Sequence, residues 1–187
     1  MNGLLKQTLA GLRVLIVLTV LLGVLYPLGV WLVSRIPGLE SNAEGSIITQ
    51  DNQPVGSSLI GVDLQGDQWF HSRPSAGSPS ASGASNKGPA NPDLLEAIAK
   101  RRAAVAALEG VQPSQVPLDA VTTSGSGVDP TISVEYANLQ VARVARVNGL
   151  PEAKVRELVD ANTAGVLPGV NVVKLNLAVR DAAGGAR

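Results

Sequence analysis

Residues 14–34, VLIVLTVLLGVLYPLGVWLVS, form an apolar run without a charged side chain. A helix of about 21 residues at about 1.5 Å each reaches across the hydrocarbon core of a bilayer. Arg13 and Arg35 bracket the run. Tyr26 and Trp31 lie toward its C-terminal end, where amphipathic rings favour the lipid–water boundary. Pro27 removes one backbone donor and is expected to kink the helix. A buried core helix is disfavoured, because a run apolar all round needs a large core about it. A cleaved signal peptide is disfavoured because its apolar region spans about 7 to 15 residues, although Ser41-Asn42-Ala43 is a passable cleavage site. The expectation is a permanent transmembrane helix.

Beyond residues 35–45, read as a linker, the pattern turns amphipathic. Ile47-Ile48 and Ser57-Ser58-Leu59-Ile60-Gly61 read as two short strands joined by a turn at Asp51-Asn52-Gln53-Pro54, and Trp69-Phe70-His71 as a third strand or its edge. The segment 73–92, RPSAGSPSASGASNKGPANP, is a flexible loop by composition, since it lacks the apolar residues that offset the entropy of ordering. The alternative is a defined polar loop around Arg73-Pro74 and Asn86-Lys87-Gly88-Pro89 that meets another protein.

A first helix is expected from Asn91, with Pro92 at its first position, Asp93 and Glu96 in its first turn, Leu94, Ile98, Val105 and Leu108 at helical spacing, and Gly110 closing it. Ser133 is the expected cap of a second helix ending near Gly149, with Ala137, Val141, Val144 and Ala145 on its core face and Arg143 and Arg146 projecting elsewhere. A third helix follows Leu150-Pro151, with Val155, Leu158 and Val159 inward, and makes a helical hairpin with the second. Residues 171–179 alternate apolar and mixed positions and read as a strand. The fold class is therefore α+β: one transmembrane helix (14–34) after a short N-terminal segment (1–13), then one mixed domain (46–187) with a small sheet and about three helices.

Charge sets the orientation. Lys6, Arg13 and the terminal amine lie on the short side of the apolar run, and Arg35, Glu40 and Glu44 on the other, which places residues 1–13 in the cytoplasm and the domain outside, in the inner membrane of the cell. Three of the 15 basic residues flank the run and all 15 acidic residues lie beyond it. The domain is thus net negative, which argues against nucleic acid as a partner. No cysteine is present, so disulfides and thiolate metal sites are excluded. Aromatic residues are 3%, and the core has to be built from aliphatic side chains.

Catalytic patterns are sparse. No phosphate-binding G-x-x-x-x-G-K-[ST] loop and no G-x-S-x-G elbow occurs. His71 is the single histidine, which excludes a multi-histidine metal site; it reads as structural or loop-pinning, with an exported hydrolase as a distant alternative. Ser124-Gly125-Ser126-Gly127 reads as a tight turn before Asp129-Pro130, the alternative being a set of amides offered to an anion. Gln140 reads as a buried side chain bonded to a neighbouring turn, the alternative being a partner contact.

Six blocks carry a resemblance: GSSLIG (56–61), WFHSRPSA (69–76), SGASNKGPANPDL (82–94), VPLDAVTTSGSGVDPTIS (116–133), QVARVARVNGL (140–150) and VNVVKLNLAV (170–179). In order and spacing they resemble the C subunit of the bacterial Kdp high-affinity potassium-transporting ATPase. The resemblance implies a non-catalytic accessory subunit, with no cofactor of its own, in a complex whose other subunits conduct potassium and hydrolyse ATP with magnesium. It implies a need for the chain in assembly and activity, and proposals for such subunits include an influence on nucleotide affinity and gating of the outer ion entrance. The matching positions His71, Arg73, Asn86, Ser124, Ser126, Asp129, Gln140 and Arg143 become candidates for loop structure or partner contact. The chain departs from the family pattern at Val62 and Leu64, and at Thr163-Ala164-Gly165-Val166-Leu167, which is shorter and uncharged. A membrane-tethered exported binding or sensor module that works without a pump is the reading from a different class.

Overall fold

The computed structural model describes residues 2–50, 52–78 and 80–184. It divides into two units, residues 1–47 and 48–187.

The first unit is a continuous helical rod. Helix α1 (Asn2–Val20) passes through one π turn (Leu21–Leu25) into α2 (Tyr26–Ser34). The π turn sits directly before Pro27, and Tyr26 N–H bonds back to Leu21 O. Widening the turn by one residue makes room for the pyrrolidine ring next to the backbone bond it deletes. The rod from Gly3 to Ser34 is long and apolar enough to cross a membrane, and none of its apolar window is buried. At its end Arg35 lies 5.4 Å from the Trp31 ring centroid and pairs with Glu44 at 2.7 Å. A four-residue helix α3 (Glu40–Ala43) follows.

The second unit is an α+β domain. Strands β1 (Ile47–Gln50) and β2 (Gln53–Ser57) form a two-stranded sheet, whose second strand ends before the Leu59-Ile60 pair assigned to it from sequence. Helix α4 (Pro92–Glu109) starts on the Asn91 side chain, which accepts from Leu94 N, and stops at Gly110 in the left-handed conformation, as its sequence dictates. After a 3₁₀ turn (Pro113–Gln115) come β3 (Thr131–Ser133), α5 (Val134–Asn148), α6 (Glu152–Ala161), β4 (Thr163–Ala164), β5 (Gly169–Asn171) and α7 (Val172–Gly184). Strand β5 is central in an antiparallel β3-β5-β4 sheet, with Ile132 opposite Val170 and Thr163 opposite Val170. Beyond β4, Val166 and Leu167 stand fully in solvent at the tip.

The scarcity of aromatic residues shows in the core. Of the eleven largest fully buried side chains, eight are valine, and Phe70 is the single aromatic. They close the space between α5, α6, α7 and the three-stranded sheet. Ser133 caps α5 through Tyr136 N at 3.0 Å, and Asp119 in turn accepts from Ser133 N (2.7 Å) and Oγ (2.9 Å). Helices α5 and α6 meet at Gly149 as expected, burying Val141, Val144, Val155 and Val159.

The strand expected over 171–179 is instead a helix. Val172, Leu175, Asn176 and Val179 are the buried positions, a spacing of three, one and three that fits a helical face as well as the alternation fits a strand. Asn171 decides the matter: its Oδ1 accepts from Lys174 N at 3.1 Å, an N-cap, while its Nδ2 donates to Ser58 O at 2.9 Å.

Candidate functional site

The segment around Trp69-Phe70-His71 forms no strand. Side-chain amides stand in for the missing neighbour. Gln140 of α5 accepts from His71 N (2.7 Å) and donates to His71 O (3.2 Å), and Asn176 of α7 does the same for Phe70 N (2.8 Å) and O (2.9 Å). Each amide has the donor and acceptor of a peptide group, so two helices supply what a strand edge would. Gln140 therefore meets a neighbouring main chain from a fully buried position.

Arg143, one turn after Gln140, was expected to point away from the core and does the opposite. Its side chain is 2% exposed, and its Nε donates to Glu109 Oε1 at 2.9 Å, where the carboxylate is 1% exposed. Nη1 donates to the carbonyls of Asp67 and Trp69, and Nη2 to Gln140 Oε1 at 2.9 Å. The physical reason is demand: an irregular segment packed against α5 leaves inward carbonyls that need donors, and the five-donor guanidinium meets several at once. Burial pushes the Glu109 carboxyl above its usual range, and Arg143 partly pulls it back. Glu109 Oε2 is buried without a hydrogen-bond partner among the described residues.

On the outer side of the same segment, Arg73 Nη1 meets Asp129 Oδ2 at 3.4 Å, while Asp129 Oδ1 accepts from Thr131 N (2.9 Å) and Oγ1 (2.6 Å). His71 Nδ1 lies 3.6 Å from Asp63 Oδ1. Hydrogen bonding from His71 is the main cause holding the Asp63 carboxyl below the ordinary range, against a smaller opposing effect of burial.

The serine-rich turn is closed by bonds within itself and to the loop beside it. Ser124 N donates to Pro74 O, Gly127 N to Ser124 O, and Val128 N to Ser126 Oγ, while Ser124 and Ser126 hydroxyls lie 3.1 Å apart. These bonds support the turn reading over an anion nest. The 73–92 segment is a defined polar loop laid on this turn: Gly83 N donates to Ser126 O at 2.8 Å, and Ser75 Oγ donates to Gly127 O. Gly127 has φ +72° and a Cβ there would fall 2.1 Å from Gly83 O, so only glycine fits. Asn86 stands apart from the other candidates, exposed and at φ +53°, a conformation asparagine tolerates.

The structure thus sorts the eight candidates. Gln140 and Arg143 form a buried polar hub. Arg73, Ser124 and Asp129 line a surface cleft of about 220 Å³ together with Asp63 and Gly61, with Ser126 bonded to it from the side. His71 and Arg73 also line a second cleft of about 340 Å³, against Arg101 and Tyr136. Val62 and Leu64 face an apolar groove of about 400 Å³ beside Trp69 and Leu177.

Four residues of this arrangement were missed: Asp63, Arg101, Glu109 and Asn176. Asn176 carried a usable signal, a primary amide between Leu175 and Val179 on an apolar face, like Gln140 on α5. Reading period two instead of 3.6 hid it. Glu109 carried none, because the last residue before a C-terminal glycine is ordinarily solvated.

A family model described as K+-transporting ATPase, c chain, matches residues 8–181. Three relatives named Potassium-transporting ATPase KdpC subunit illustrate the likeness. That of Kineococcus radiotolerans is 49% identical over 98% of this chain and 97% of its own length. That of Streptomyces avermitilis is 45% identical over 92% of each, and that of Variovorax paradoxus is 42% identical over 100% of each. With the match running from within the membrane-length helix into α7, the chain belongs to the KdpC family of potassium-transporting ATPase subunits.

Proposed function

We propose that this chain is an accessory, non-catalytic subunit of an ATP-driven, high-affinity potassium uptake complex, needed for assembly, stability and activity of the subunits that conduct potassium and hydrolyse ATP. The observation that carries the reading is the family match over residues 8–181. ATP, magnesium and potassium are handled by the partner subunits.

The helix Gly3–Ser34 anchors the chain in the inner membrane, with residues 1–13 cytoplasmic and the α+β domain on the outer face. Gly23 and Gly29 leave open surface on that helix, which lets a partner helix approach closely. A domain on the outer face is separated from cytoplasmic ATP and acts by contact with its companions.

Extraction of an affinity-tagged chain from membranes in mild detergent tests the proposal. The expected result is co-elution with a potassium-stimulated ATPase. Elution of the chain alone, under conditions that keep other membrane complexes intact, would favour the independent exported binding module.

A further inference from the structure

We propose that the 340 Å³ cleft between α4 and residues 71–74 receives one carboxylate side chain of a partner subunit, gripped by Arg101 and Arg73. The inference rests on the subunit reading and adds to it a docking point and the chemistry of what docks.

Both guanidinium groups are pinned by one edge. Arg101 Nη1 donates to Val121 O (3.2 Å) and Thr123 Oγ1 (3.4 Å), and Arg73 Nη1 to Asp129 Oδ2 (3.4 Å). None of these bonds uses the Nε–Nη2 edge, the one that holds a carboxylate through two parallel bonds. Arg73 Nε is buried and has no partner among the described residues. A guanidinium held through Nη1 has already lost much of its rotamer freedom, so less is lost on docking, and because Arg73 Nε is shut off from the surface, Arg101 is the main grip.

The floor and the charge narrow the occupant. Tyr136 lines the same cleft with 4% of its surface exposed. Val105 and Leu108 add apolar floor suited to the methylene stem of an acidic side chain. Asp129 pairs with Arg73, and Arg101 has no acid within ion-pair distance among the described residues. Arg101, an arginine without an acidic partner, matches one carboxylate, and Asp63 at the rim opposes a doubly charged phosphate.

The test uses the assembled complex in mild detergent with Arg101→Lys. A water-soluble carbodiimide joins an ammonium and a carboxylate in direct contact, and mass spectrometry identifies the linked peptide. The expected product joins position 101 to an Asp or Glu of a co-purified subunit, and Arg101→Glu lowers recovery of that subunit about tenfold at an unchanged melting temperature. Links only to carboxylates of the same chain, or wild-type recovery with Arg101→Glu, would overturn the inference while leaving the subunit reading in place. Should Arg101→Glu melt early, the Arg101→Lys link alone decides. Recovery of the wild-type chain with no partner would overturn both.

Discussion

The α5–α6 hairpin and the segment from Gly61 to Asn91 occupy the same domain and are held in opposite ways. The hairpin is held by periodic apolar contact: Val141, Val144, Val155 and Val159 are all fully buried, and its caps and its Gly149 turn are local. The segment has almost no regular structure and is held at points, by Gln140, Asn176 and Arg143 reaching its main chain from behind and by Ser124, Ser126 and Gly127 meeting its loop in front. Apolar packing degrades gradually when trimmed, because many small contacts share the load. A hydrogen-bonding side chain that satisfies buried main-chain groups does not, since its loss strands those groups without water.

Arg143→Ala should show the largest effect. It leaves Glu109 buried and unpaired and removes donors from Asp67 O and Trp69 O, and the expected loss is about 3 to 5 kcal/mol in denaturant unfolding. Replacing both members, Arg143→Met with Glu109→Leu, should recover most of the Glu109 part, because apolar substitutes for a buried ion pair are often neutral or stabilising.

Gln140→Leu and Asn176→Leu sharpen the contrast. Each should cost about 1 to 3 kcal/mol, and the readout is local. Amide exchange at His71 or Phe70 should accelerate while Val141 and Val144 keep their protection; uniform acceleration across both regions would mean that the two are not held separately. Gly127→Ala should cost about 1 to 3 kcal/mol from the left-handed backbone alone, plus the clash with Gly83 O, and should free the 73–92 loop to limited proteolysis.

Asp63→Asn is the smallest. Because the Asp63 carboxyl is held below its ordinary range in the folded chain, its stabilising contribution is complete above about pH 4 and is lost as pH falls through the lower folded value. The side chain is 49% exposed, so screening keeps the effect to about half a kcal/mol. The variant should lower the neutral plateau by about that half kcal/mol and converge on the wild type at the acid end, so that the acid limb of its stability–pH curve is flatter.

The same division explains what the sequence made legible. Helices α4, α5 and α6 are written locally, in Asn91-Pro92, Ser133, Gly110 and Gly149 together with a 3.6-residue apolar period, and they form where expected. Helix α7 was hidden because Val173, Leu175, Leu177 and Val179 alternate, while its Asn171 cap reads as a loop residue until the helix is known. Arg143 was assigned outward because a charged side chain beside an apolar face is ordinarily solvated; what draws it in is a set of carbonyls some 75 positions away in the chain. Order in the 73–92 loop was legible only as the alternative reading, since composition reports on apolar burial, and this loop is fixed by main-chain bonds to a distant turn. At the candidate site, local context favoured a buried, bonded Gln140 and a tight Ser124–Gly127 turn over a partner contact or an anion nest. The pairings of Asp63 with His71 and of Glu109 with Arg143 exist only in three dimensions.

The account depends on one uncut helix that keeps the domain on the outer face of the membrane. The absence of cysteine from the sequence makes a direct measurement possible with Lys6→Cys and Glu157→Cys, labelled in intact spheroplasts by a membrane-impermeant maleimide. The account predicts labelling at position 157 and none at position 6 until the membrane is opened. Labelling at position 6 alone, or a mature chain released from the membrane after cleavage near Ala43, would contradict it.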